Sequence, residues 1–305
     1  MADRYGVEKM FIDAHLHMVR RKGLPRNAAG ANFATPEELI RIMDRTGVDK
    51  GILLPVASPE CNFQGASCED VLEACETYPD RFYPFCNVDP REGSNSPDAD
   101  LSFHLNYYKG RGCLGVGEIT ANLAFGDPLV QNLFRHCERC ELPVIFHIAP
   151  KHHGCYGLVD ALGLPGLEAS LATFPRLVFI GHSQPFWAEI SGDLTDENRN
   201  TYPQGPVVPG GAIPRLMKTY PNLYCGWDAG SGYNALTRDP EFGWAFMEHF
   251  SERILFGTDL CDPSDNHRHA EYLRTSQAEG RLSPGAFENI SGGTANRLFG
   301  LGIHS

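Results

Sequence analysis

From residue 11 onward the chain alternates between two kinds of segment: short apolar runs, and longer stretches whose apolar residues recur every three to four positions. The short runs read as buried strands and fall at 11–17, 50–55, 81–88, 114–119, 143–147, 177–182, 222–227 and 253–259. Between them, amphipathic spacing predicts helices over 35–47, 67–78, 98–109, 127–141 and 158–173. A further helix ends near 220, another lies within 233–250, and a last one covers 283–298. Thr35-Pro36-Glu37-Glu38 opens the first helix with an N-cap, a proline whose fixed φ suits the first turn, and acids that complement the helix dipole. About eight strands alternating with about eight helices predict an α/β fold, a parallel sheet closed as a (β/α)8 TIM barrel with elaborated βα loops. A doubly wound open sheet is the alternative, but no Gly-x-Gly-x-x-Gly follows an early strand. No repeat, low-complexity tract or linker breaks the pattern, so residues 1–305 read as one domain.

Composition narrows the class. With 42% hydrophobic residues in 305, the chain can fill a barrel-sized core. A formal net charge of -12 with no basic stripe argues against nucleic acid or an anionic membrane as partner. Nothing approaches the run of about eighteen apolar residues that a membrane-spanning helix needs, and no signal-length segment precedes the first strand. Ten scattered cysteines read as the reduced thiols of a cytoplasmic enzyme. Cys137 and Cys140 form a C-x-x-C, but inside a predicted helix with no second pair, so they read as helix positions rather than a redox or zinc pair.

Candidate chemistry collects where the strands end. On an extended first strand Phe11, Asp13, His15 and His17 share one face, and Ile12, Ala14 and Leu16 the other. Two imidazoles two residues apart can present nitrogens to one cation. A lone His-x-His proves little. Further along, however, Glu118 stands at the end of the fourth run, His147 of the fifth, His182 of the sixth and Asp259 of the eighth. Each has a bland reading by itself: His147 or His182 as a satisfied core histidine, Asp259 as a helix N-cap, Glu118 as a partner orienting an imidazole. Together they are ionisable groups ending apolar strands at the face where barrel enzymes carry their chemistry. That predicts a divalent metal site.

The set resembles the amidohydrolase superfamily, in the amidohydrolase-related branch that includes aminocarboxymuconate-semialdehyde decarboxylase and nearby lactone and amide hydrolases. The matching pieces are Asp13-Ala14-His15-Leu16-His17, Gly117-Glu118-Ile119, Val144-Ile145-Phe146-His147, Ile180-Gly181-His182-Ser183 and Leu255-Phe256-Gly257-Thr258-Asp259, with Thr294-Ala295-Asn296-Arg297-Leu298-Phe299-Gly300 near the end. The resemblance implies that His15, His17, His147 and Asp259 bind one divalent metal, zinc foremost, with Mn, Fe or Ni as alternatives. Glu118 falls where some relatives place a bridging carboxylate and with His182 would complete a second site, while no lysine for carbamylation stands at the fourth or fifth strand end. One metal is the favoured reading, with Glu118 as an added ligand and His182 left to act on substrate; two metals are the alternative.

Such a site activates water, with Asp259 as proton shuttle and His182 as hydrogen-bond donor to the developing oxyanion. The function expected is hydrolysis of a small-molecule carboxylic ester, lactone or amide; non-oxidative decarboxylation of a small carboxylic acid is the alternative. A non-catalytic metal scaffold would need neither the acid at the eighth strand nor the histidine at the sixth. Arg20, Arg21 and Lys22, or Lys151, are candidate anchors for a substrate carboxylate, against the plainer reading of solvated loop cations. The long loop 183–210 opens with Gln184-Pro185-Phe186-Trp187, whose aromatics either wall a pocket or pack the loop down. His267 and His269 read as solvated. A homo-oligomer stays open: oligomers are common in the family, though no surface stripe commits to one.

Overall fold

The capping signals read from the sequence do start helices. In a computed structural model, which describes residues 10–26, 28–29, 32–61, 65–265 and 267–303, Thr35 caps its helix through a reciprocal capping box with Glu38. Ser67 and Asp70 do the same one helix later. Through the first half of the chain the elements run β1 (Ile12–Leu16), α1 (Pro36–Thr46), β2 (Lys50–Leu53), α2 (Cys68–Thr77), β3 (Phe82–Pro84) and α3 (Ser102–Gly110). Then come β4 (Val116–Ile119), α4 (Pro128–Cys140), β5 (Val144–Ala149), β6 (Leu158–Val159), α5 (Pro165–Thr173), β7 (Phe179–His182) and α6 (Gln184–Ala188). The remainder is α7 (Ala212–Thr219), β8 (Leu223–Trp227), α8 (Ala229–Thr237), α9 (Pro240–Phe250), β9 (Ile254–Phe256), α10 (His269–Ala278), α11 (Pro284–Glu288) and α12 (Thr294–Phe299).

Every strand pairing is parallel. One sheet runs β1-β2-β3 and another β4-β5-β7-β8-β9, with β6 paired to β5 outside that path. Two parallel bridges join their edges, Cys86 to Val116 and Leu16 to Leu260, so the eight strands follow one another round a ring. Inside it, Ile12, Ile52, Phe85, Ile145, Ile180 and Leu255 form a separate apolar cluster, which Ala295 and Phe299 of α12 close from the N-terminal end. Phe85 and Phe299 meet edge to face at 5.4 Å. Each such side chain contributes roughly 1.5–3 kcal/mol by leaving water. Outside the ring, a larger cluster packs the helices onto the strands; Cys137 and Cys140 are buried in it on α4.

The first strand departs from simple alternation. Ile12 and Ala14 face the interior, whereas Phe11 and Leu16 belong to the outer cluster, and Asp13 lies beside Leu16, Ile42 and Met43 under α1. The register of β1 against β2 shifts between Asp13 and Leu16. A bulge re-aims the following side chains, so His15 and His17 reach the barrel mouth without sharing a face with Phe11 and Asp13. Other boundaries also differ from the spacing. The segment 158–173 begins as β6 and turns helical only at Pro165, because Asp160 accepts the amides of Gly166 and Leu167 and starts the helix there. The stretch 233–250 splits at Asp239, which caps α9. A π turn at Asn289–Gly293 interrupts the last helix.

Candidate metal centre

The bulged end of β1 and the ends of β4, β5, β7 and β9 gather the residues expected of the site. His15 Nε2 and His17 Nε2 lie 3.0 Å apart. Glu118 stands between two groups: its Oε2 is 3.2 Å from His17 Nε2 and 3.7 Å from His15 Nε2, while its Oε1 is 2.9 Å from His147 Nδ1 and 3.1 Å from His182 Nε2. His147 and His182 are register partners on adjacent strands. Asp259 follows β9 with φ 54°, a left-handed backbone, and its amide donates to His15 O at 2.9 Å. That turn holds its Oδ1 at 3.5 Å from His15 Nε2 and 3.4 Å from His17 Nε2. Asp13 serves from behind: its carboxylate accepts Thr258 Oγ1 at 2.6 Å and the amides of Thr258 and His15, tying β1 to the segment that carries Asp259.

Sequence reasoning did not single out Asp228 for the centre. It follows β8, is fully buried, and accepts from His15 Nδ1 at 2.8 Å and His182 Nδ1 at 2.5 Å. A polar residue ending an apolar strand, the signal used for the other five strand ends, was present in Trp227-Asp228 as well.

The donors fit a cation. His17 Nδ1 lies 3.0 Å from Leu54 O. A carbonyl only accepts, so this nitrogen carries the proton and Nε2 is left as a lone pair. His15 Nδ1 faces a carboxylate, with the same consequence. Two lone pairs therefore oppose each other at 3.0 Å beside two carboxylate oxygens, with no donor among them. His182 Nε2 is buried and makes no hydrogen bond, though it stands 3.1 Å from Glu118 Oε1. Positive charge is what such a cluster lacks, and imidazole nitrogens with carboxylate oxygens are borderline donors suited to zinc and its neighbours. The electrostatics agree. Burial opposes charge on His15, but Asp259 and Asp228 outweigh it and lift its pKa well above the usual value. For His182 burial is likewise outweighed, chiefly by Asp228, and the pKa rises to about 10. Burial would raise Glu118, yet the surrounding imidazoles, His147 first, drive it well below the usual range. Asp259 is lowered in the same way, by His15 above all after burial is overcome.

A cavity of about 810 Å³ opens onto this cluster, lined by His147, Tyr156, His182, Asn200, Tyr202 and Asp259 among others. Tyr156 packs on His147 with ring centroids 4.4 Å apart. Phe186 and Trp187 are fully buried instead of walling the cavity; Trp187 Nε1 donates to Gly226 O at 3.0 Å. Arg20 and Lys22 pair with Glu73 and Glu38 on the surface, and Lys151 lines a neighbouring cleft. His269, expected in solvent, is buried against Trp227 and bonded to Ala229 O, because α10 packs onto the end of β8.

The model of the amidohydrolase family matches residues 12–301. This chain belongs to that family. Among solved structures it is similar to an uncharacterized TIM-barrel protein from Bordetella bronchiseptica, at 18% identity and a TM-score of 0.62, over 95% of this chain and 98% of that one. It is also similar to 2,6-dihydroxybenzoate decarboxylase from Rhizobium (16%, TM-score 0.62, 97% and 100%). A third likeness is to an amidohydrolase from Burkholderia multivorans with bound zinc (15%, TM-score 0.59, 95% and 99%). No curated protein matches the sequence. The fold is accordingly a TIM barrel, and the chain is an amidohydrolase-family enzyme. All ten cysteines are free, and among the described residues no helix is long and apolar enough to cross a membrane.

Proposed function

We propose that the protein is a divalent-metal hydrolase of a small-molecule carboxylic ester, lactone or amide. His15, His17, Glu118 and Asp259 would hold the cation. The divergence of the two Glu118 oxygens supports the alternative with a second position, formed by Glu118, His147 and His182. Zinc is the metal that donor set suits first. A bound divalent cation supplies Lewis acidity, lowering the pKa of a water towards about 7 and polarising a carbonyl. Asp259 carries the reading: its side chain is 23% exposed where Glu118 and His182 are nearly closed off, so it touches both the cluster and the cavity. It takes the proton of the attacking water and returns it to the leaving group. His182, expected to act on substrate, has its Nδ1 engaged by Asp228 and its Nε2 turned to the cluster, which supports a place among the ligands instead.

Hydrolysis of an uncharged group suits the cavity, because its arginine, Arg91, is already held by Asp89 and by both oxygens of Glu60. Decarboxylation is favoured by a different residue. Arg26 donates to Cys261 Sγ at 2.6 Å, and among the described residues it has no carboxylate partner, which leaves its charge for a substrate carboxylate. Metal analysis of the purified protein, coupled to a screen of lactones, amides and aromatic carboxylates, separates the two. Proton release without CO2 supports hydrolysis. Release of CO2 from a carboxylate supports the second reading, and absence of bound metal with no turnover on added zinc would overturn both.

A further inference from the structure

Asp228 occupies the N-cap position of α8, yet its side chain caps nothing. The ordinary role of an aspartate there is to accept an amide of the first turn. Both of its oxygens go elsewhere, Oδ2 to His15 Nδ1 at 2.8 Å and Oδ1 to His182 Nδ1 at 2.5 Å. The two rings stand edge to face with centroids 4.6 Å apart. They arrive from β1 and β7, three strands apart round the ring, and the carboxylate that follows β8, which lies between them, spans the two. The backbone is shaped around it. A Cβ at Gly226 would lie 2.6 Å from Asp228 Oδ2, and one at Gly257 would lie 3.0 Å from Asp228 Cβ and 3.3 Å from His15 Cβ. Because a carboxylate only accepts, both Nδ1 atoms must be donors, and both Nε2 atoms are left as lone pairs aimed at the centre.

We propose that Asp228 is a positioning residue that fixes the tautomer and aim of His15 and His182 together, so that one carboxylate governs cation affinity through two strands at once. The inference rests on the metal-centre reading above. Its signature lies in Asp228→Asn: an amide offers one accepting oxygen, and its NH2 cannot accept the second Nδ1–H. One of the two histidines must then move its proton to Nε2 and lose that lone pair.

The test is long-range 1H–15N correlation NMR of 15N-histidine-labelled, zinc-loaded protein, with signals assigned through His15→Gln and His182→Gln, beside zinc affinity by chelator competition. In the wild type both imidazoles should read as Nδ1–H tautomers. In Asp228→Asn one should convert, and zinc affinity should fall about 10–100-fold, the usual effect of losing a carboxylate behind a metal-bound histidine. Asp228→Ala should weaken zinc at least as much. If either variant fails to fold, judged by circular dichroism, Gly257→Ala takes its place, since its methyl presses on Asp228 and His15; it should weaken zinc and broaden both imidazole signals. Unchanged tautomers, or unchanged affinity in a folded variant, overturns the proposal. Should the wild type bind no divalent cation, the metal-centre reading fails, while the two Nδ1–H signals of the metal-free protein, whose hydrogen bonds to Asp228 the Asn variant should break at one ring, still decide whether Asp228 holds both rings.

Discussion

Arg199 is the most exacting place to test how the cavity's loop is held. It belongs to the excursion between α6 and α7, is 1% exposed, and donates to Asp160 O at 2.9 Å and Ala161 O at 3.4 Å. Its ion-pair partner is Glu189, 3.4 Å away and equally buried, which also accepts the Gly163 amide at 2.9 Å. Arg199→Met keeps much of the volume but leaves Glu189 as an unpaired buried charge and takes the guanidinium away from Asp160 O, while Ala161 O keeps the Leu164 amide. Removing one member of a buried pair costs about 3–5 kcal/mol. At roughly 2 °C per kcal/mol for a chain this long, Tm should fall by about 6–10 °C. Burial already holds the Glu189 carboxyl above the usual range, with the Gly163 amide and Arg199 working against that rise. Without the guanidinium the folded-state pKa rises further above the unfolded value. The folded protein then binds the extra proton, so the variant's deficit should shrink as pH is lowered from neutral towards 5. Arg199→Met combined with Glu189→Gln should recover most of the loss, because the glutamine oxygen can still accept Gly163 N–H and no charge is orphaned. Thermal melts followed by circular dichroism across this pH range decide the matter. A loss below about 1 kcal/mol in the single variant, or a double variant no more stable than the single, would refute the reasoning.

Three further outcomes are expected. Asp259→Asn should keep much of its metal, since the amide still offers an oxygen, while turnover is abolished; near-normal turnover alongside wild-type metal content would sink the proton-shuttle role. Burial works to raise Asp89, but Arg91 and Ser58 outweigh it and hold its carboxyl below the usual range, so the stability it contributes is present above the unfolded value of about 4 and is lost as pH falls through the folded one. Asp89→Asn should therefore cost about 1–3 kcal/mol at neutral pH and flatten the decline of urea stability below pH 4; a variant that keeps the wild-type acid slope contradicts this. Of the ten cysteines only Cys61, Cys155 and Cys261 are not buried. Because burial pushes the Cys61 thiol up and Cys261 up to about 12, a thiol reagent should label Cys155 first, Cys61 and Cys261 slowly and the other seven only on unfolding; fast reaction of Cys137 or Cys140, read by mass spectrometry, would contradict their packing on α4.

What the sequence determined by itself was the alternation of strands and helices, hence the barrel, and the ionisable residues that end its apolar runs. Both are local signals: periodicity follows from the geometry of one element, and a costly polar group at the end of a buried strand is visible without any partner. His15, His17, Glu118, His147, His182 and Asp259 could be named for that reason. Tertiary structure decided how they meet. The bulge that separates the two histidines from Phe11 and Asp13 depends on pairing with β2 and on Thr258, far away in the chain. Asp228 gains its importance only because the ring closes and sets His15 and His182 on either side of it, and the same closure decided that Phe186 and Trp187 pack inward and that Arg91 reaches the cavity already paired. Hydrogen-bond partners contributed by distant strands leave no periodic trace in a sequence, since their spacing along the chain is set by whatever loops and helices intervene.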